Sequence, residues 1–233
     1  TIEEHVSFVP DGRKITVSLA RPGKIDGFKI LDEDIVAPKY TIEKKSDRVI
    51  VSSAPRKRPQ DIYYRILLYD NVDSRGKTEA AAPARPQKPV MDEQTSALAA
   101  QLLETAAARE GDEVQQIIAL FNQTPPDETV QSFVAAPRTP KATAQAVLDL
   151  LALKGVSGRM VRGIKLAEAK KTLVPDIMLE VYNKGMWKVY NLETGKKGLP
   201  GDFIIFQRGN QSLVDLEGGT DSVAKFSVMK SIR

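Results

Sequence analysis

The chain is 233 residues long, 42% apolar and 27% charged, with a formal net charge of +4. These are ordinary globular values, which argue against disorder over the whole length and against a membrane-embedded chain. Zero cysteines and a single histidine, His5, exclude a thiolate nucleophile, a disulfide, a Cys/His zinc site and an iron–sulfur cluster.

At roughly one domain per 150 residues, two domains are expected. Beginning at Thr1, without an initiator Met or a leader, the chain reads as a processed product or an excised part of a longer one. The longest mostly apolar stretch, residues 146–153, is broken by Asp149 and is far shorter than the roughly 20 residues that cross a bilayer. Lack of cysteine leaves the redox compartment open.

Taken in order, residues 1–71 alternate apolar and polar side chains, with Ile15, Val17 and Leu19 on one face and Lys14, Thr16 and Ser18 on the other. That period predicts strands, joined here by a turn at Asp11-Gly12 and followed by further strands over 28–31, 40–43, 49–52 and 62–69. Their spacing suggests a small antiparallel β-sandwich. Residues 72–91 contain Pro83, Pro86 and Pro89 and no aromatic residue, so they read as a semi-extended linker. From Met91 the period becomes helical. Leu98, Leu102 and Leu103 share one face, Val114, Ile117, Ile118 and Phe121 another, and Ala144, Val147, Leu148 and Leu151 a third. Pro125-Pro126 separates the second of these from the last, which Gly155 closes. Strand patterns then return over 159–164, 178–182, 187–190, 203–206 and 223–228. The expected class is α+β: an N-terminal sandwich (1–71), a linker (72–91) and a helix-plus-antiparallel-sheet domain (92–233). Within the last, an acidic stretch (92–138, net −6) precedes a basic one (139–197, net +6), a pattern expected of segments that pack on each other rather than of a polyanion binder.

The order of a helix, the turn Gly155-Val-Ser-Gly-Arg159, then Leu179-Glu-Val-Tyr182, Trp187 and a strand ending at Asn191 resembles the transglutaminase-like papain superfamily. In active members the nucleophilic Cys starts the helix, and the following strands bear His and Asp. The resemblance sets Pro140 at the cysteine position, Asp176 at the histidine position and Asn191 at the aspartate position. A helix start and an imidazolium lower a thiol's pKa, and a third polar group orients the imidazole. Pro140 suits the first residue of a helix capped by Thr139 but offers no nucleophile, and Asp176 would raise rather than lower a thiol's pKa. Gly27-Phe-Lys-Ile-Leu-Asp-Glu-Asp34, Ala37-Pro38-Lys39-Tyr40, Tyr63-Tyr64-Arg65, Gly195-Lys-Lys-Gly-Leu-Pro-Gly-Asp-Phe203, Val214-Asp-Leu-Glu-Gly-Gly219 and Phe226-Ser-Val228 resemble a bacterial family of inactive transglutaminases fused to seven transmembrane helices. The resemblance implies a pseudoenzyme in the periplasm, anchored through its own membrane helices at the inner membrane. It also implies a pathway shared with an ATP-grasp peptide ligase and a retropepsin-like protease. No cofactor, metal or nucleic acid is expected. The expected partner is a peptide or protein seated in a degenerate cleft lined by Pro140, Lys141, Asp176, Met178 and Asn191.

Other residues read more simply. Trp187 reads as a partly buried strand aromatic packed on the helix rather than a cleft cap. Arg159 and Glu180 read as an ion pair or turn clamp. Arg56-Lys57-Arg58 reads as a solvated hairpin loop. Gly218-Gly219 reads as a hairpin turn, and His5 as a strand residue far in sequence from a candidate acid. Two rival functions stay open: a hydrolase or transferase using Asp176, Glu180 and Glu193, and a structural spacer or oligomerisation domain.

Overall fold

The computed structural model describes residues 1–22, 28–70, 82–134, 137–166 and 172–229. Its class is α+β, mostly antiparallel sheet with a few helices. The chain divides into two units, one formed by Thr1–Lys77, Arg162–Asp176 and Gly201–Arg233, the other by Thr78–Val161 and Ile177–Pro200.

The first unit begins with β1 (Ile2–Pro10), β2 (Ile15–Ala20), β3 (Phe28–Val36), β4 (Thr41–Lys44), β5 (Arg48–Ser53) and β6 (Gln60–Asp70). It ends with β10 (Phe203–Arg208), β11 (Val214–Glu217) and β12 (Gly219–Val228). Period-two burial is clean: Ile15, Val17 and Leu19 of β2 are buried while Thr16 and Ser18 are not. One sheet runs β11-β2-β5-β4. In the other, β1 lies between β12 and β6, and β3 forms the edge beyond β6. Val6, Phe8, Ile62 and Ile66 from this sheet share a core with Ile15, Val17, Leu19, Val49 and Val51 from the four-stranded one.

Neither sheet is made of residues 1–71 alone. The second hydrogen-bonding edge of β1 is filled by β12, from Ile2↔Val228 to Val6↔Ala224, and β2 is flanked by β11. Each buried strand needs partners on both edges, and those partners come from the end of the chain. The unit therefore departs from the expected boundary at 71, and Gly218-Gly219 is not a hairpin turn. It is where the chain leaves one sheet at β11 and enters the other at β12. A Cβ on Gly218, at φ +79, would lie 2.1 Å from the Lys14 carbonyl oxygen. β3 is longer than expected because Asp32, Glu33 and Asp34 interrupt its apolar pattern. It is an exposed edge, and its register shifts between Ile30 and Asp32.

The second unit carries α1 (Glu93–Ala107), α2 (Glu113–Phe121), α3 (Glu128–Phe133) and α4 (Pro140–Leu153). With them go the first residues of β7 (Gly158–Lys165), the last of β8 (Thr172–Asn183) and β9 (Met186–Asn191). Each helix starts on a side-chain oxygen that accepts from its free N–H groups: Asp92, Asp112, Asp127 and Thr139. α3, unforeseen beside Pro125-Pro126, owes its start to Asp127. α4 ends in a Schellman turn, with Gly155 N–H on the Ala152 carbonyl and Val156 N–H on that of Leu151. Helix residues Leu102, Ile117, Ile118, Val147 and Leu150 pack with Leu179, Val181 and Tyr190 of the strands. The acidic and basic stretches meet at Lys154 Nζ and Glu113 Oε1, 2.9 Å apart.

Part of the expected linker, residues 71–81, lies outside the described residues. From 82 to 92 the chain forms neither helix nor strand, and Ser157 Oγ donates to the Ala84 carbonyl at 3.1 Å.

Candidate functional site

The start of α4 is built from Thr139, Pro140 and Lys141. The Thr139 hydroxyl oxygen accepts from Ala142 N–H at 3.1 Å, and Pro140, with no N–H of its own, fills the first helical position. Arg138 donates to the Phe121 carbonyl, tying this start to the end of α2. Pro140 and Lys141 are exposed. The helix dipole still presents its positive end here, in a chain that contains no cysteine to use it.

Asn191, at the end of β9, has its Oδ1 engaged. It accepts from Glu193 N–H at 2.9 Å, Thr194 N–H at 2.8 Å and Thr194 Oγ1 at 3.0 Å, an Asx turn that directs the chain away from the strand. Met178 is the cross-strand partner of Asn191 and is only 1% exposed, so it supports the strand pair from within. Asp176 is half-buried in β8 and belongs to the first unit, whereas Pro140, Lys141, Met178 and Asn191 belong to the second. Of the five expected residues, the structure joins Met178 to Asn191 and Pro140 to Lys141.

Arg159 and Glu180 form the expected ion pair, Nη2 to Oε2 at 2.6 Å, with Glu180 only 2% exposed. Glu180 is thereby committed to structure rather than to a carboxylate pair. The Arg159 guanidinium also lies 4.1 Å from the Trp187 ring centroid, and Tyr182 meets the same ring edge-on at 5.5 Å. Trp187 is half-buried, with a cation over its face and a tyrosine edge-on to it. In the first unit, Arg56 stacks on Tyr40 at 4.7 Å and donates to the Lys39 carbonyl, which leaves Lys57 and Arg58 as the solvated part of that loop.

Sequence reasoning missed two polar links. Tyr190, fully buried, donates its hydroxyl to Asp112 Oδ2 at 3.1 Å, while Asp112 Oδ1 caps α2. Burial, with the Asp112 charge and hydrogen bond, holds the Tyr190 phenol well above its ordinary range. His5 has an acid after all: its Nε2 lies 2.7 Å from Asp61 Oδ1, and its ring stacks on Tyr63 at 4.4 Å. The cross-strand register of β1 and β6 brings these residues together, which no spacing along the chain shows. Among the described residues no group of three or more His, Cys, Asp or Glu side chains is placed to hold a metal ion.

The family described as inactive transglutaminase fused to seven transmembrane helices matches residues 1–136, more than half of the chain. The chain belongs to that family. The matched residues stop before Pro140, so the positions compared with the triad lie beyond them. Among solved structures, a candidate cysteine protease from Cytophaga hutchinsonii aligns over 100% of this chain and 91% of its own, with a TM-score of 0.60 and 12% identity. The two share a fold. No curated protein matches by sequence. Members of the family carry such a domain joined to membrane helices, and among the described residues no helix is long and apolar enough to cross a membrane.

Proposed function

We propose that this domain is a non-catalytic binding module of a bacterial inner-membrane protein, facing the periplasm and recognising a peptide or protein. The observation that supports this reading is the start of α4, a capped, exposed helix terminus at Pro140, in a chain with no cysteine whose family is described as inactive. Losing the thiol removes the chemistry but leaves a helix start whose dipole and Lys141 attract an anionic or carbonyl-rich chain. Within the second unit, Pro140, Lys141 and Asn191 are the proposed recognition residues, with the buried Met178 paired to Asn191 across the strands. Residues 92–233 are the part for which the transglutaminase-like reading is proposed. A pathway shared with a peptide ligase and a protease fits a peptide ligand.

The test has two arms. In the first, the purified chain is incubated with acyl-donor peptides and amines, and no turnover is expected. In the second, a peptide library is screened by thermal shift. A stabilising peptide is expected, with binding weakened at least tenfold by Lys141→Glu. Turnover lost in Asp176→Ala would overturn the reading in favour of an enzyme. A stable oligomer in sedimentation, with no stabilising peptide, would overturn it in favour of a spacer.

A further inference from the structure

Residues 82–90 carry proline at every third position, as Pro83, Pro86 and Pro89. Each ring fixes its own φ and disfavours the helical region for the residue before it, here Ala82, Arg85 and Lys88. The segment therefore favours the polyproline II conformation before anything holds it, and that helix turns once in three residues, with all three prolines on one side. Burial follows the same period: Pro83, Pro86 and Pro89 are half-buried, whereas the residues between them and on either side are exposed. The segment is a strap seated by its proline side and held within the second unit. Ser157 Oγ donates to the Ala84 carbonyl at 3.1 Å, and Met91, just beyond the strap, packs with the helix core.

Ser157 also begins a strip across the sheet. Its carbonyl accepts from Tyr182 N–H at 2.8 Å, and Tyr182 is the cross-strand partner of Trp187. Residues directly opposite in antiparallel strands share a face, so Ser157, Tyr182 and Trp187 line up on one side. It is the side away from Leu179 and Val181, which pack with the helices. The two rings stand edge to face with centroids 5.5 Å apart, and the Arg159 guanidinium, itself paired with Glu180, lies 4.1 Å from the Trp187 centroid and holds the indole. A side-chain donor beside rings fixed in this way suits a polyproline II ligand. Prolines pack on the aromatic faces, and the carbonyls, which that helix leaves without internal partners, accept from the donor.

We propose that the Ser157–Tyr182–Trp187 strip is a docking site for proline-rich peptides in the polyproline II conformation, and that residues 82–90 are its resident occupant, displaced when such a peptide arrives from a partner. Because it is tethered, the strap competes at an effective concentration on the order of millimolar, so it screens out weak ligands and yields to stronger proline-rich ones. The strip shares no residue with the start of α4, and its failure would leave the reading of that helix start untouched.

The probe is a synthetic peptide with the sequence of residues 82–90, and its control is a peptide of the same composition with the three prolines adjacent. Trp187, the only tryptophan of the chain, reports binding by its fluorescence. The full chain carrying Pro83→Ala, Pro86→Ala and Pro89→Ala, which loosens the strap and leaves the strip intact, should bind the probe saturably and at least about tenfold more tightly than the parent, since the tethered competitor is weakened. The control peptide should give no saturable change. In the loosened chain, Tyr182→Ala should weaken the probe about tenfold and Ser157→Ala about threefold, for the lost ring surface and the lost hydrogen bond. Where the triple variant has no cooperative melt, Pro86→Ala alone takes its place, with the same order of affinities and a smaller gain. The proposal is overturned by a cooperatively folded strap variant that binds the probe no better than the parent does, by equal binding of the control peptide, or by unchanged binding in both Tyr182→Ala and Ser157→Ala.

Discussion

Glu4 shows how a single residue sets a condition on the fold. It lies on the inward face of β1, opposite Tyr64 on β6 and Phe226 on β12, and is 1% exposed. Neither of its carboxyl oxygens has a hydrogen-bond partner. Burial pushes its pKa up to about 8, against the opposing pull of the Arg48 charge. Arg48 does not pair with it, being held by the Ser18 and Ser212 carbonyls and by Asp215. Because the folded-state value exceeds the unfolded one, the folded state holds its proton more tightly. The associated stability is fully present below the unfolded pKa, near 4.5, and is lost as pH rises from there to about 8. Urea unfolding at pH 5 and pH 8 should show the chain weaker at pH 8 by on the order of a few kcal/mol. Glu4→Gln, which mimics the protonated acid, should flatten that dependence and unfold later than the parent at pH 8. A parent whose midpoint does not move between the two pH values would remove the argument. Glu4 shares the parity of Ile2, Val6 and Phe8, so alternation alone sets it inward, against the expectation that a charged residue in a strand faces water.

At the scale of elements, the sequence was legible wherever the signal is local. The cap at Thr139 and the close at Gly155 are read from short spacings, and α1, α2 and α4 follow from their apolar faces, whereas the caps at Asp92, Asp112 and Asp127, and with the last the short α3, emerge only from the structure. Strands β2, β5 and β6 follow from alternation. What the pattern did not carry is partner choice: β11 and β12 were adjacent in sequence and were read as a hairpin, yet each joins a different sheet. Gly218 is what makes that crossing possible. Gly218→Ala should cost at least ~2 kcal/mol, because its Cβ would collide with the Lys14 carbonyl 2.1 Å away and its φ is +79°. Gly12→Ala, at φ +88° but with open space around it, should cost only about 1 kcal/mol. Equal effects of the two in thermal melts would show that the close approach does not matter.

At the scale of the whole molecule, composition placed one division near residue 71, whereas the packing closes the first unit with strands from the far end of the chain. The family match over residues 1–136 also runs across that composition boundary, from the first strands into the helices. The same non-local logic limited the site: the segments bearing Pro140, Asp176 and Asn191 were aligned by spacing, but burial of Met178 and the turn held by Asn191 emerge only from pairing across strands. A truncation tests this division. Residues 1–71 alone would leave β1 without β12 and β2 without β11, exposing two unpaired strand edges and removing Phe226, Ile204 and Phe206 from the shared core. Buried backbone groups left without partners and lost apolar area both disfavour the fold, and a piece of this size has little stability to spare. The expected result is a 1–71 fragment that lacks cooperative unfolding by circular dichroism and exchanges its amide hydrogens freely. Adding a peptide spanning β11 and β12 should restore protection in β1 and β2. A fragment that unfolds cooperatively by itself would mean that the early strands carry their own core and that the late ones only cover it.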